Sequence, residues 1–451
     1  MAKVDLIVQG RVVLGDEIIS DGAVAVHSGM IAAVGKRDSM PDSVDTIDGG
    51  HCLVMPGFID AHVHSFGTTN EGIINSTRAA AAGGVTTIID HPLDLPHAPV
   101  TVEEMREKKE RCQKESLVDF GLLGAVTANS IEDIDGTSKL GLVGYKLLMS
   151  DTAPNRMKRV NDGELLEAFG ELARVGKIGG LHAENDDILK HFEEKLKAEG
   201  KVYPRAHAEA HPPVSETEAV ASAIQFAKSV KAHVHFFHLS LPESVEIVKR
   251  EKAFYPHISC ETCPHYLVMN VDQMNDMGGR AKINPPLRTK KDCEGLWEQL
   301  GREELDLITS DHAPHPVSTK GNKENIFMNS SGAPGVETIV PIVYSEGVGK
   351  GRITLPQMLK YLCLNPAKLF GLYPRKGVLA PGADADLVIF DPDEMWTLQE
   401  KSLHYVAGWT PYEGMKVKGK TIKTILRGKT IYDKGKIIGE PGCGEFIPSD
   451  E

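Results

Sequence analysis

The chain has 451 residues and carries 63 acidic against 50 basic side chains, a net charge of −13. That balance argues against a nucleic-acid or anionic-membrane surface, while 41% hydrophobic and 25% charged residues are ordinary for a soluble globular protein. Seven cysteines in so long a chain do not make a disulfide framework, no apolar run reaches membrane-spanning length, and the start Met1-Ala2-Lys3-Val4-Asp5 lacks a signal-peptide core, so a cytoplasmic enzyme is the expectation.

Residues 1–52 read as all-β: Asp5–Gln9, Arg11–Leu14, Ala23–Val26 and Ile31–Val34 are short apolar runs between Gly- and Asp-rich turns. The same texture returns at Ala385–Phe390 and Thr424–Tyr432. Each half alone has too little core, so 1–52 and 376–451 are expected to combine into one small β-sandwich domain. Between them, over 53–375, strands alternate with amphipathic stretches such as Glu216 to Val230. The strands are Phe58–His64, Val85–Asp90, Asp119–Val126, Val143–Met149, Ile178–Glu184, Ala232–His238, His257–Glu261 and Leu305–Asp311. Eight of them read as an α/β fold, a (β/α)8 TIM barrel. An open doubly wound sheet is the alternative, but no Gly-x-Gly-x-x-Gly follows a strand into a helix, so its dinucleotide-binding version is unsupported.

Residues two apart on a strand share a face, so His62 and His64 project two imidazoles into one space, about 6–7 Å apart along the chain. The C-terminal ends of barrel strands face the active site. There this sequence places His62, His64, Lys146, His182, His238 and Asp311. Each has a dull explanation alone: a snorkelling lysine, core histidines, an aspartate capping a helix. Together they fit a binuclear metal centre, in which ions about 3.5–4 Å apart share a hydroxide. A lysine ammonium has no lone pair to bridge them, whereas a CO2-derived carbamate on Lys146 (N6-carboxylysine) supplies two anionic oxygens. The hydroxide would be the nucleophile, and Asp311 would take its proton and pass it to the leaving nitrogen.

These residues, with Met55–Phe58, Ala80–Thr87, Glu261–Leu267, Asn284–Arg288, Ser310–Pro314 and Gly335–Thr338, resemble the amidohydrolase superfamily in its cyclic-amide subgroup of allantoinases, hydantoinases/dihydropyrimidinases and dihydroorotases. The resemblance implies that His62, His64 and Asp311 hold one metal, His182 and His238 the other, and carboxylated Lys146 bridges both. It also implies a homotetramer or homodimer and a small cyclic amide as substrate. Zinc is the first metal, with cobalt, manganese, iron and nickel suited to the same ligands.

Dihydroorotases commonly carry an Arg two residues past the His-x-His, where this chain has Phe66; hydantoinases typically place a Tyr five residues after the lysine, where it has Asp151. His91-Pro92-Leu93-Asp94, Ser331–Thr338 and Thr410–Lys420 resemble allantoinase segments. The expected reaction is therefore allantoin to allantoate, a step of purine catabolism, with hydantoinase/dihydropyrimidinase and then dihydroorotase as alternatives. Groups near Asn284 and Pro334 would hold the ring imide by the same analogy, and His91, Asp94 and the Ser65-to-Gly72 loop depart from the pattern.

Two competing classes are disfavoured. A non-catalytic scaffold relative would have lost ligands, and a single-metal deaminase would lack the lysine. Cys260-x-x-Cys263 has no second pair at zinc-ribbon spacing and reads as packing; His233 and His235 read as structural, and His265 as equally a loop hydrogen bond or a neighbour of the site.

Overall fold

The structure is a computed structural model that describes residues 3–68 and 71–449. Strands β1 (Val4–Leu14), β2 (Glu17–His27), β3 (Met30–Lys36) and β4 (Ser43–Pro56) come first. Then β5 (Phe58–Val63), β6 (Val85–Asp90), β7 (Asp119–Ala125), β8 (Gly144–Leu148), β9 (Gly179–His182), β10 (Val234–Phe236), β11 (Ile258–Thr262) and β12 (Leu307–Ile308) pair in sequence order, all parallel. Helices separate most of them, Pro213–Val230 among them. Every residue of these eight strands is buried, as a parallel sheet covered on both faces requires. The last strand is only two residues long, so the ring is closed beyond the strand ends. His312 N–H donates to the His62 carbonyl (3.2 Å) and His64 N–H to the His312 carbonyl (2.9 Å). The (β/α)8 barrel is thus joined at its C-terminal rim.

Strands β13 (Leu387–Thr397), β14 (Lys416–Leu426), β15 (Lys429–Asp433) and β16 (Lys436–Ile437) return to the first four. Together they make one mixed sheet in the order β16-β15-β14-β13-β4-β1-β2-β3. The two chain ends meet where β4 runs antiparallel to β13, Leu53 opposite Phe390 through Pro56 opposite Leu387. Only Gly57 separates β4 from β5, and a Cβ there would lie 2.1 Å from Thr86 Oγ1, so the turn into the barrel requires glycine.

A buried ion cluster ties this sheet to the barrel. Lys376 Nζ lies 2.8 Å from Asp384 and 2.7 Å from Asp386, and also bonds Asp119 at the start of β7. The three carboxylates have the spacing of a cation site, but the lysine ammonium already sits among them. Among the described residues no helix is long and apolar enough to cross a membrane.

Candidate active site

The strand ends deliver the six expected residues to one rim. His62 lies in β5 and His64 directly after it; Lys146 lies in β8; His182 ends β9; His238 and Asp311 stand just past β10 and β12. None is more than 8% exposed. His238 and Asp311 adopt left-handed backbone conformations, φ 40° and 47°, which a side-chain-bearing residue tolerates only where its surroundings enforce it. His238 stands three residues past His235, which in a regular strand would face it the other way; β10 ends at Phe236, and the turn after it brings His238 to the rim.

Two pairs of ligand atoms result. His62 Nε2 and His64 Nε2 both approach Asp311 Oδ1, at 3.2 and 3.3 Å. His182 Nδ1 faces His238 Nε2 at 3.1 Å. Lys146 Nζ lies 3.1 Å from His62 Nε2 and rests against the Phe237 ring. Lys146 therefore lies beside the first pair.

Burial sets the charge states. It holds His62 and His238 well below the usual imidazole range and lowers His64, so these rings are neutral and keep a lone pair. Burial also lowers Lys146 to about 8, which makes a neutral, nucleophilic amine available near neutral pH. Asp311 stays anionic against the pull of burial, because the hydrogen bond with His64 holds its carboxyl well below the usual range.

A second layer of carboxylates was missed in the sequence. Glu261 Oε1 lies 2.6 Å from His62 Nδ1, and its Oε2 lies 3.1 Å from His235 Nε2. Glu184 accepts from His182 Nε2 (2.9 Å) and His211 Nδ1 (2.8 Å); against burial, His211 and His182 hold its carboxyl well below the usual range. With the proton on the outer ring nitrogen, each inner nitrogen turns a lone pair to the rim, the arrangement metal-ligating histidines use. Both glutamates stand at strand ends, so the rule that found the histidines could have found them. His91 was also missed as a participant. It stacks on His62 at 3.7 Å, fixes its Nε2 on the Ala61 carbonyl (3.0 Å) and turns Nδ1 to Lys146 Nζ (3.2 Å).

The donor set suits divalent metals: four imidazoles, a carboxylate and a deprotonatable amine converge with more lone pairs than protons. His62, His64 and His91 bring ligand atoms within 4.8 Å of one another, although both nitrogens of His91 are already engaged.

The rim opens into a cavity of about 290 Å3, at the small end for a ligand site. Asn284 lines it; Pro334 is buried close by, and the wall from its loop is Ser330, Ser331 and Gly332. Gly67, Thr68, Leu93 and Arg156 line it as well. The unusual first and second loops hold each other. Ser65 N–H donates to Asp90 (2.9 Å), Lys108 bridges Asp90 (2.7 Å) and Asp94 (2.8 Å), and Phe66 packs under Lys108 and Arg111. Asp94 is therefore structural. Asp151 pairs with Lys190 (2.9 Å). His312 accepts from Gly335 N–H (3.0 Å) and bonds Glu71 (3.2 Å), so it anchors the 330s loop. Cys260 and Cys263 are buried free thiols, and His265 is buried against Tyr266.

The model of the Amidohydrolase family matches residues 53–431. An L-hydantoinase of Paenarthrobacter aurescens is 34% identical over 98% of each chain, and an allantoinase of Salmonella choleraesuis (strain SC-B67) is likewise 34% identical over 98% of each. The solved L-hydantoinase (dihydropyrimidinase) from Arthrobacter aurescens superposes with a TM-score of 0.95 at 33% identity, covering 99% of this chain and 100% of that one. The chain belongs to the amidohydrolase family and is a cyclic amidohydrolase.

Proposed function

We propose that the protein opens the ring of a hydantoin, a five-membered cyclic ureide, by hydrolysing one amide C–N bond at a binuclear metal centre. The observation that carries this is the convergence of His62/His64/Asp311, His182/His238 and Lys146 on one rim, opening into a cavity sized for a small heterocycle. His62, His64 and Asp311 would hold one ion, His182 and His238 the second, and Lys146 as its carbamate would join them. Bound there, the ions would polarise the scissile carbonyl and bring the pKa of water toward neutrality.

The chain's own groups do the rest. Asp311 is held anionic, so its carboxylate accepts the proton of the attacking water and returns it to the departing ring nitrogen. Glu261 and Glu184 keep the imidazoles in one orientation. Asn284 and the Ser330–Gly332 wall offer polar groups to the ring. Allantoin, a hydantoin with a ureido arm at C5, is the second reading; the allantoinase match at 34%, equal to the L-hydantoinase match, supports it. We extend the proposal to a cytoplasmic homotetramer or homodimer, which sedimentation would test.

The experiment is turnover of hydantoin, allantoin, dihydrouracil and dihydroorotate by metal-loaded protein, with Lys146→Ala alongside. A hydantoin should win in kcat/KM, and Lys146→Ala should lose most bound metal together with activity. A dihydropyrimidine in first place would refute the ring assignment, and full metal content in Lys146→Ala would refute the bridging role.

A further inference from the structure

We infer that the substrate carries a carboxylate on the arm at C5 and that Arg156 is the residue that receives it; this rests on the cyclic-ureide reading above. Arg156 lines the same cavity as His64, His182, His238 and Asp311. Its guanidinium lies against the loop after His64, with Nη1 3.6 Å from where a Cβ on Gly67 would stand. Among the described residues it has no carboxylate partner. The acidic group felt at a distance is Asp94, which is already paired with Lys108 at 2.8 Å. Among the residues lining the cavity Asp311 is the single acid, and it belongs to the metal-ligand set.

A half-buried guanidinium without a counter-charge is costly, and burial depresses its pKa. The main chain that carries it is held in place. Arg156 N–H donates to the Ala153 carbonyl (2.9 Å), and the Arg156 carbonyl accepts from Ala98 N–H (3.0 Å). The next residue, Met157, is 1% exposed and packs in an apolar cluster with Ala98, Ala125 and Leu148 at the barrel rim. A planar five-donor fork that lines the cavity and has no carboxylate partner among the described residues matches a carboxylate in shape and charge. The neutral walls nearby, Leu93 and Leu148, suit the ring. The ring then lies at the metal rim, and its C5 arm points outward to Arg156.

The test compares hydantoin-5-acetate with its isosteric amide, hydantoin-5-acetamide, on the metal-loaded wild type, Arg156→Gln and Arg156→Lys. The wild type should prefer the carboxylate by roughly 10- to 100-fold in kcat/KM, chiefly through KM, as binding uniform between ground and transition state requires. Arg156→Gln should erase that ratio, and Arg156→Lys should keep part of it. Equal use of the two compounds by the wild type, or an unchanged ratio in Arg156→Gln, overturns the inference while leaving the hydrolase reading intact. Calorimetric binding of the same pair covers the case in which neither ring opens. Tighter carboxylate binding that Arg156→Gln abolishes then supports the anion site even as the reaction assignment fails, and equal binding overturns it.

Discussion

Glu261 is the residue whose replacement tests the site most sharply. Its carboxylate sits between two imidazoles, 2.6 Å from His62 Nδ1 and 3.1 Å from His235 Nε2, and is fully buried. Burial pushes its pKa up to about 8, and the short contact with His62 puts one hydrogen bond between carboxyl and ring. Glu261→Leu removes both acceptors. His62 then gains by placing its proton on Nε2, where Asp311 Oδ1 accepts it at 3.2 Å, and that nitrogen no longer offers a lone pair. Glu261→Gln is milder. Its carbonyl can still serve His62, while His235 exchanges tautomers because Ser259 Oγ, 2.8 Å from its Nδ1, donates or accepts equally well. Losing such a partner costs about 10- to 100-fold in metal affinity, or about 1.4–2.8 kcal/mol at 1.4 kcal/mol per decade. Glu261→Gln should fall near the lower figure and Glu261→Leu near the upper. Competition against a chelator of known affinity, with zinc or cobalt, measures both. Metal affinity in Glu261→Leu equal to wild type would show that the carboxylate does not set the His62 tautomer.

Three further outcomes follow from the packing. Lys376→Met leaves the buried Asp386 without its cation and should cost about 3–5 kcal/mol in urea unfolding; a loss below about 1 kcal/mol would mean the cluster is solvated. Gly180→Ala puts a methyl 2.0 Å from Phe237 Cζ and so displaces the ring that packs on His62, His91 and Lys146; it should lower stability by about 1–3 kcal/mol and weaken metal binding, and an unshifted melting temperature would contradict this. Burial, with His235 and His257 nearby, holds His233 down at about 4. Between about pH 6.5 and 4 the unfolded chain therefore binds a proton that the native state refuses, and stability falls as pH falls, by up to about 1.4 kcal/mol per pH unit. His233→Gln should lose that part of the slope in denaturant titrations at pH 7, 6 and 5, and parallel curves for the two proteins would refute it.

The alternation of apolar runs with turns was enough to read the barrel, because each strand's pattern is local: Val85–Asp90 was read with its final bounds, and the others shifted by a few residues at their ends. The six rim residues were legible for the same reason. A polar side chain ending an apolar strand has few places to point. The partners of those residues were not legible, because they are set by which strand ends meet in space. Glu261 reaches His62 across 199 positions, and nothing local to either residue says so. His91 stood at the end of its strand like the others, but its engagement with Ala61 and Lys146 depends on β5, β6 and β8 closing around one axis. The same holds for Arg156. As sequence it is one arginine in a polar loop, and only the docking of Met157 into the rim, with Gly67 opposite, makes it a charge facing the cavity. Sequence by itself determined the scaffold and the metal-competent set, since both follow from periodicity and residue chemistry. Tertiary structure alone decided the proton-holding partners and the charge in the cavity wall, because both depend on which distant segments meet.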